Sequence, residues 1–471
     1  MITDIVEDEM KEFESQVLQE ERLSTPKIIL LAFQHLLAMY AGDILIPLLI
    51  GAALKFNAQQ MTYLISVDIF MCGVATFLQI KRTPLTGIAL PVVLGSAVEY
   101  LAPMEHIGNT FGWGYMYGGV IAAGIFVFLI SGLFARLRKF FPVVVTGSLI
   151  TLIGFTLIPV AFQNIGGGNV ADPHFGSASN LILGFVTALI IILIQVFTHG
   201  FVKRISVLIG IVAGSLIAVL MGLIDPTPIS QASWLKIPLP FYFATPKFEW
   251  SSILTMLLAA VTCMIESTGV YFALADITER KLTADDLKRG YRSEGIAAIL
   301  GGIFNTFPYS TFSQNVGIVQ LSGIKKLRPI YFSAGMLLIL GLIPKFSAIA
   351  TLIPTSVLGG AMLVMFGMVG AQGIKMLAAV DMTVNNLLVI AVSIGVGLGV
   401  TTQPTLFHIL PATVQTILDN GMVVGCVTAI IMNLLLNGSK GLDETRESSA
   451  KWPTHVNKKD SYVWIGHNCR F

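Results

Sequence analysis

Charge is what this sequence has least of. Only 12% of its residues are Asp, Glu, Lys or Arg, while 54% are hydrophobic and the mean hydropathy is +0.79. That balance excludes an ordinary soluble domain. The net charge of +2 is too small to point to nucleic acid or to an acidic partner. Cysteine is also scarce. Cys72, Cys263, Cys426 and Cys469 show neither paired nor metal-ligand spacing, and the first three lie in apolar runs where a thiol behaves as a small hydrophobe. Neither disulfides nor a metal are expected, and no cofactor motif stands out. The first residues lack the basic start and short apolar core of a signal peptide, so the acidic, polar segment 1–26 is expected to stay in the cytoplasm.

What the chain does have is long apolar runs. They fall at roughly 28–54, 60–79, 86–100, 114–134, 142–163, 180–198, 205–224, 252–276, 293–306, 311–322, 328–343, 346–371, 384–400 and 418–437, about fourteen in all. Most are continuous and about 20 residues long, as helices crossing a bilayer require, without the alternation of barrel strands. The expected fold is an all-α polytopic membrane protein. With the N-terminus inside, Lys81, Arg82, Arg136, Arg138, Lys139, Lys203, Arg204, the basic residues from Arg280 to Arg292, Lys325, Lys326 and Arg328 all fall on the cytoplasmic side. The other side holds little beyond Lys55, Lys236, Lys247 and Lys345. This asymmetry predicts an even number of spans with both termini cytoplasmic.

The third and tenth segments, 86–100 and 311–322, are too short to cross ~30 Å of hydrocarbon, and both follow Thr, Pro and Gly. They stand third in each set of seven. Short, interrupted segments at matching places in two halves point to inverted repeats with a binding site between them. The polar, helix-breaking patch from Pro308 to Gly323 supports the same reading, since backbone unwound at membrane depth must line a cavity or be buried in protein.

Ionisable residues inside spans sharpen the site. Glu266, in Ile-Glu-Ser-Thr-Gly, lies near the middle of the eighth span. An acid there costs ~3 kcal/mol and is expected to face the bundle or a cavity. The small residues Ser267, Thr268 and Gly269 would let a ligand or a neighbouring backbone approach. In the first span, His35 follows Gln34, with Asp43 two turns further on; for His35, packing and function are equally open. Asp276 reads as interfacial. Glu294, in Tyr-Arg-Ser-Glu-Gly, has two readings: a surface charge paired with Arg292, or a carboxyl deep enough to exchange a proton with a cavity.

The stretch Gln314-Asn315-Val316-Gly317-Ile318-Val319-Gln320-Leu321-Ser322-Gly323 resembles the signature of the nucleobase-ascorbate transporter family, Gln/Glu/Pro-Asn-x-Gly, four residues, then Thr and Arg, Lys or Gly. Gln34-His35 in the first span, Glu266 in the eighth and Glu294 twenty positions before Gln314 fit as well, and the resemblance covers residues 28–437. Ser322 stands where the family usually has Thr, and Glu294 where it usually has Asp. The resemblance implies a core domain (27–135 and 251–344, segments 1–4 and 8–11) moving against a gate domain (136–250 and 345–437, segments 5–7 and 12–14). It also implies a homodimer and uptake of a nucleobase with a proton. Gln before the Asn resembles the purine branch, xanthine or uric acid, more than the uracil branch; xanthine is favoured.

The residue chemistry agrees with that implication. A carboxyl at Glu266 accepts from purine N–H groups, and the Gln314 amide donates and accepts. Gly95, Ser96, Asn315 and Gly317 shape the two half-helix starts, whose N–H groups suit substrate carbonyls. Glu294 is the candidate proton carrier, with His35 orienting the network and Glu266 taking part.

A membrane enzyme or receptor would need a nucleophile, a metal cluster or a paired acid and base, and the candidate residues are scattered singly among spans. A channel fits poorly with two discontinuous segments, and an anion exchanger with an acid at the anion's place. The polar tail, 438–471, is expected to lie disordered in the cytoplasm.

Overall fold

Two helices that begin on charged or polar loops carry their own start signals. In a computed structural model, Asn57 Oδ1 accepts from the backbone N–H of Gln60 at 2.9 Å while Gln60 Oε1 accepts from that of Asn57 at 3.0 Å, which fixes the start of Ala58–Ile80. Thr283 and Asp286 form the same reciprocal cap before Ala284–Ile303. Each box satisfies backbone donors that no earlier turn can reach. The second explains why the ninth helix starts nearer the polar loop than its apolar run, 293–306, predicts.

The structure describes residues 24–137, 142–224, 226–312, 315–316, 318–319, 325–403, 406–410, 418–419 and 421–438, apart from the side chains of Ala41, Arg204 and Asp276. The principal helices are α1 (Thr25–Asp43), α2 (Leu45–Ala53), α3 (Ala58–Ile80), α4 (Leu101–Thr110), α5 (Trp113–Leu137), α6 (Val143–Ile165), α7 (Ala178–Phe197), α8 (Ser206–Leu220), α9 (Trp250–Thr278), α10 (Ala284–Ile303), α11 (Arg328–Gly341), α12 (Pro344–Ala350), α13 (Thr355–Leu377), α14 (Val384–Thr402) and α15 (Gly421–Asn437). Eight helices among the described residues are long and apolar enough to cross a membrane by themselves. This is a mostly helical multi-pass membrane protein. The apolar run 346–371 is not one helix: α12 turns 86° away from α11, and α13 starts only after Pro354. Pro344 and Pro354 stand just before or at the two helix starts, where a missing N–H costs least.

The first short segment, 86–100, ends in a strand and a single helical turn, and the second, 311–322, follows a strand. β1 (Leu94–Ser96) and β2 (Tyr309–Thr311) pair antiparallel, with Leu94 opposite Thr311 and Ser96 opposite Tyr309. Phe312 N–H donates to Val93 O and Ala97 N–H to Pro308 O, extending the ladder at both ends. Each strand is thus the other's source of backbone partners where water is absent.

Packing around this pair repeats with the halves exchanged. α5 lies against α10 as α3 lies against α11; α9 meets α5 as α1 meets α11; α7 packs on α8 as α14 packs on α15. α6 and α13, like β1 and β2, face each other across the axis. The antiparallel strands make the repeat an inverted one. Small residues bring these helices close: a Cβ on Gly295 would sit 2.8 Å from Gly124 O and from Phe128 N, and one on Gly124 would sit 2.7 Å from Gly295 O. Such contact is how helices associate where no hydrophobic force separates protein from lipid. Gly295→Leu is therefore expected to destabilise the fold at the upper end of about 1–3 kcal/mol, because the obstacle is backbone. Size-exclusion of the solubilised variant should show loss of the monodisperse peak; a wild-type yield would count against this packing.

Candidate functional site: buried acids at the paired strands

Ser96 anchors β1 from two directions. Its N–H donates to Asp43 Oδ1 and its hydroxyl to Asp68 Oδ1, both at 2.7 Å. Tyr309, directly across the ladder, donates to the same Asp68 oxygen at 3.0 Å. Cys72 Sγ–H lies 3.2 Å from Asp43 Oδ2, and the Asp43 and Asp68 carboxyls are in contact. α1 and α3 thus hold the crossing of the strands through two fully buried acids. One acceptor atom from each of Asp43, Asp68 and Cys72 falls within 4.8 Å of the others, but hydroxyl, thiol and backbone donors already fill most of the acceptor positions. Gly95 is required here: a Cβ would lie 2.4 Å from the Phe312 ring and 2.7 Å from Asp43 Oδ1.

On the other side of the ladder stand α9 and α10. Glu266 is half-buried and faces the turn after β1, where Glu99 is 0% exposed. Ser267, next to Glu266, accepts from Thr311 of β2 at 3.3 Å. Glu294 is 4% exposed and accepts from the Tyr271 hydroxyl at 2.5 Å; Gln79 Nε2 in turn donates to that hydroxyl. Of the two readings of Glu294, the buried one is what the fold contains: Arg292 instead sets its guanidinium 5.1 Å over the Phe128 ring.

Asn315 is fully buried; its Nδ2 donates to His35 O and lies 3.2 Å from His35 Nδ1, which ties the segment after β2 to α1. Asn315 Oδ1 has no hydrogen-bond partner among the described residues. Gln314 and Gly317 lie outside the described residues. Gly95 and Ser96 thus meet α1 and α3, Asn315 meets His35 of α1, and Glu266 and Glu294 stand on α9 and α10. A separate cavity of 150 Å³, lined by Tyr63, Lys236 and Tyr242 among others, lies at the start of α3 and holds none of these acids.

Sequence reasoning passed over Asp68, Glu99 and Tyr271. The signal was present: Asp68 and Glu99 are acids in apolar surroundings, like Glu266, and the same physical rule applies to them. None of the ion pairs found among the described residues reaches the cluster. The ion pairs among the described residues join Arg82 and Arg280 to Asp286, Arg289 to Asp285 and Lys325 to Glu279, all away from it.

Inverted repeats meeting at paired, interrupted segments, with buried carboxyls around the break, define a secondary transporter. The transmembrane domain of the cyanobacterial bicarbonate transporter BicA has the same fold, with a TM-score of 0.60 over 85% of this chain and 98% of that domain, at 15% identity. The model described as Permease family, that of xanthine and uric acid permeases, matches residues 26–406, and the chain belongs to this family, the nucleobase-ascorbate transporters. It is 51% identical to the nucleobase transporter PlUacP of Paenibacillus larvae over 90% of this chain and 98% of the relative. It is 50% identical to the uric acid permease PucK of Bacillus subtilis (88% and 96%) and 50% identical to a xanthine permease of the same organism (87% and 94%).

Proposed function

We propose that this permease imports an oxidised purine together with a proton, with xanthine the foremost substrate and uric acid the alternative. The observation that carries the reading is the half-buried Glu266 carboxyl beside the β1–β2 crossing, in a chain half identical to both a uric acid and a xanthine permease. An oxidised purine presents N–H donors beside carbonyl acceptors. Glu266 accepts from the former, and the amide of Gln314 both donates and accepts. Carbonyls or a partly anionic ring suit the N–H groups and positive dipole end of the segments that follow the two strands, near Ser96 and Gln314. Gly317 permits close approach, while Gly95 makes room for Phe312 and Asp43. Asn315 and His35 hold the second segment in place, and Ser96 the first, its hydroxyl still able to accept one hydrogen bond. Glu294, linked to Tyr271 and Gln79, carries the coupled proton.

The moving parts follow the packing. α6–α8 and α13–α15 lie against one another, with an apolar cluster of their own at Leu183, Ile191, Ile211, Val357 and Ala361. They form the gate, 136–250 and 345–437, against which the core, 27–135 and 251–344, carries the substrate. The exposed apolar faces of α7 and α14 meet lipid or, in a homodimer, the second copy. The positive-inside pattern supports cytoplasmic termini on both ends of a protein held in the plasma membrane.

Uptake of labelled xanthine by cells expressing the chain, with unlabelled uric acid, uracil, guanine and hypoxanthine as competitors, tests the substrate. Saturable uptake blocked by xanthine or uric acid alone is expected. Uptake of uracil, or of no base, would overturn it.

A further inference from the structure

The connection from α8 to α9 carries Pro226, Pro228, Pro238, Pro240 and Pro246, which hold it to an extended course broken only by the short helix Thr227–Gln231. Its remaining N–H groups are spent on the core. Lys236 donates to Leu342 O at 3.1 Å, just past α11; Phe241 donates to Ile303 O at the end of α10, and Lys247 to Gly114 O at the start of α5, both at 2.8 Å. Leu239 donates to the Tyr63 hydroxyl of α3 at 2.8 Å. Asn305, 0% exposed just after α10, accepts from the N–H groups of Phe243 and Ala244 and donates back to Ala244 O.

Side chains fasten the same strap. Tyr242 lies on Tyr63 with ring centroids 3.8 Å apart, and Phe243 packs against Phe56 at 4.9 Å. Lys236 Nζ stands 4.2 Å over the Tyr63 ring and 4.6 Å over that of Tyr242, beside the 150 Å³ cavity under the strap. Backbones touch as well, since a Cβ on Gly118 of α5 would fall 1.8 Å from Lys247 O. The other outer connection joins this assembly: α12 packs on α3, and its Lys345 Nζ donates to Ile229 O at 3.1 Å and lies 4.9 Å over the Trp234 ring. The hydrogen bonds and ring contacts found for 232–249 among the described residues thus run to the core, to α12 or within the strap.

We infer that the outer strap 226–249, together with α12, is part of the carrier and rides with the core when the core moves against the gate. The inference rests on the core-and-gate motion proposed above and redraws its boundary, because moving bodies part where few contacts cross. The gate then leaves off at the end of α8 and resumes at α13. The turning points are Gly222, which closes α8 in the left-handed region at φ +72°, and Thr351–Pro354 between α12 and α13. The strap also joins α3 and α5 of the first repeat to α10 and α11 of the second, doing at the outer face what the β1–β2 ladder does at the crossing.

Hydrogen–deuterium exchange of the purified, solubilised protein tests the fastening without any substrate. Residues 236–247 are expected to be protected as long as the ends of α10 and α11, and Asn305→Ala to speed exchange at Phe243 and Ala244 about tenfold or more. Exchange of the wild-type strap at the rate of an open loop would overturn the inference. Disulfide cross-linking reads the motion, with bond formation followed by mass spectrometry of the linked peptides. Phe241→Cys with Ile303→Cys joins strap to core where a backbone hydrogen bond sets the Cα atoms about 5–6 Å apart. Oxidation of this pair is expected to leave uptake of labelled xanthine or uric acid within about twofold of the reduced protein. Thr262→Cys beside the native Cys426, whose Sγ lies 3.8 Å from the Thr262 hydroxyl, joins α9 to α15 across the face between core and gate. That bond is expected to lower uptake about tenfold or more until a reductant restores it. A reversible loss of uptake in the strap–core variant would overturn the common motion. Uptake indifferent to the α9–α15 bond would remove the moving core, and the inference with it. Should the first pair not fold or not oxidise, Lys236→Cys with Leu342→Cys decides in its place by the same outcomes. If neither purine enters the wild type, protection of 236–247 still supports the assembly and it is the purine reading that fails.

Discussion

Glu266→Gln is expected to abolish accumulation of labelled purine in cells while the protein still reaches the membrane. The amide keeps the volume of the acid, so the packing around α9 is retained, and its oxygen can still accept. What it loses is charge, and a hydrogen bond to a charged group in a buried site contributes about 1.5–3 kcal/mol, against about 1 for a neutral one. It also presents an N–H where the substrate offers one, leaving two donors face to face. Together these correspond to a loss of transport efficiency of about a hundredfold or more. Surface biotinylation or a fluorescent fusion checks membrane arrival. Normal accumulation by this variant would remove Glu266 from the site.

Glu294→Gln separates binding from coupling. The Tyr271 hydroxyl that donates to Glu294 at 2.5 Å can donate equally to an amide oxygen, so the link from Gln79 through Tyr271 to position 294 survives. A glutamine cannot take up and release a proton. In proteoliposomes the variant is expected to exchange labelled for unlabelled purine at a rate within about threefold of wild type, while accumulation driven by a pH gradient falls by about a hundredfold. Wild-type accumulation by Glu294→Gln would assign the proton elsewhere; loss of exchange together with accumulation would make Glu294 part of the binding surface instead.

Much of this architecture was legible in the sequence because membrane spans write themselves as runs. The segments around α3, α5, α6, α7 and α9 fell where the apolar residues did, since ~30 Å of hydrocarbon sets both length and composition. The two short segments were legible for the same reason in reverse. That a three-residue strand lies late in the first and at the start of the second was not, because β1 and β2 lie more than two hundred residues apart and their pairing is written in neither. The break between α12 and α13 was hidden because apolar residues continue through Pro354 and hydropathy is blind to a turn. Glu266 stood out by its place in a long span, whereas Glu294, at the start of its apolar run, left a surface charge and a buried carboxyl equally open. Asp68 and Glu99 did not stand out, although both are fully buried, since only the fold shows that Asp68 meets Ser96 and Tyr309 and that Glu99 faces α9. Neighbours in sequence told which residues were costly; three-dimensional packing told which of them meet the same donors.

The most direct measurement is uptake by purified protein reconstituted in liposomes, acidic outside and neutral within, supplied with labelled xanthine or uric acid. Accumulation above the external concentration that a protonophore collapses is the result expected of a proton-coupled oxidised-purine permease. Equilibration without accumulation, or accumulation indifferent to the protonophore, would contradict the coupling, and no entry of either purine would contradict the substrate.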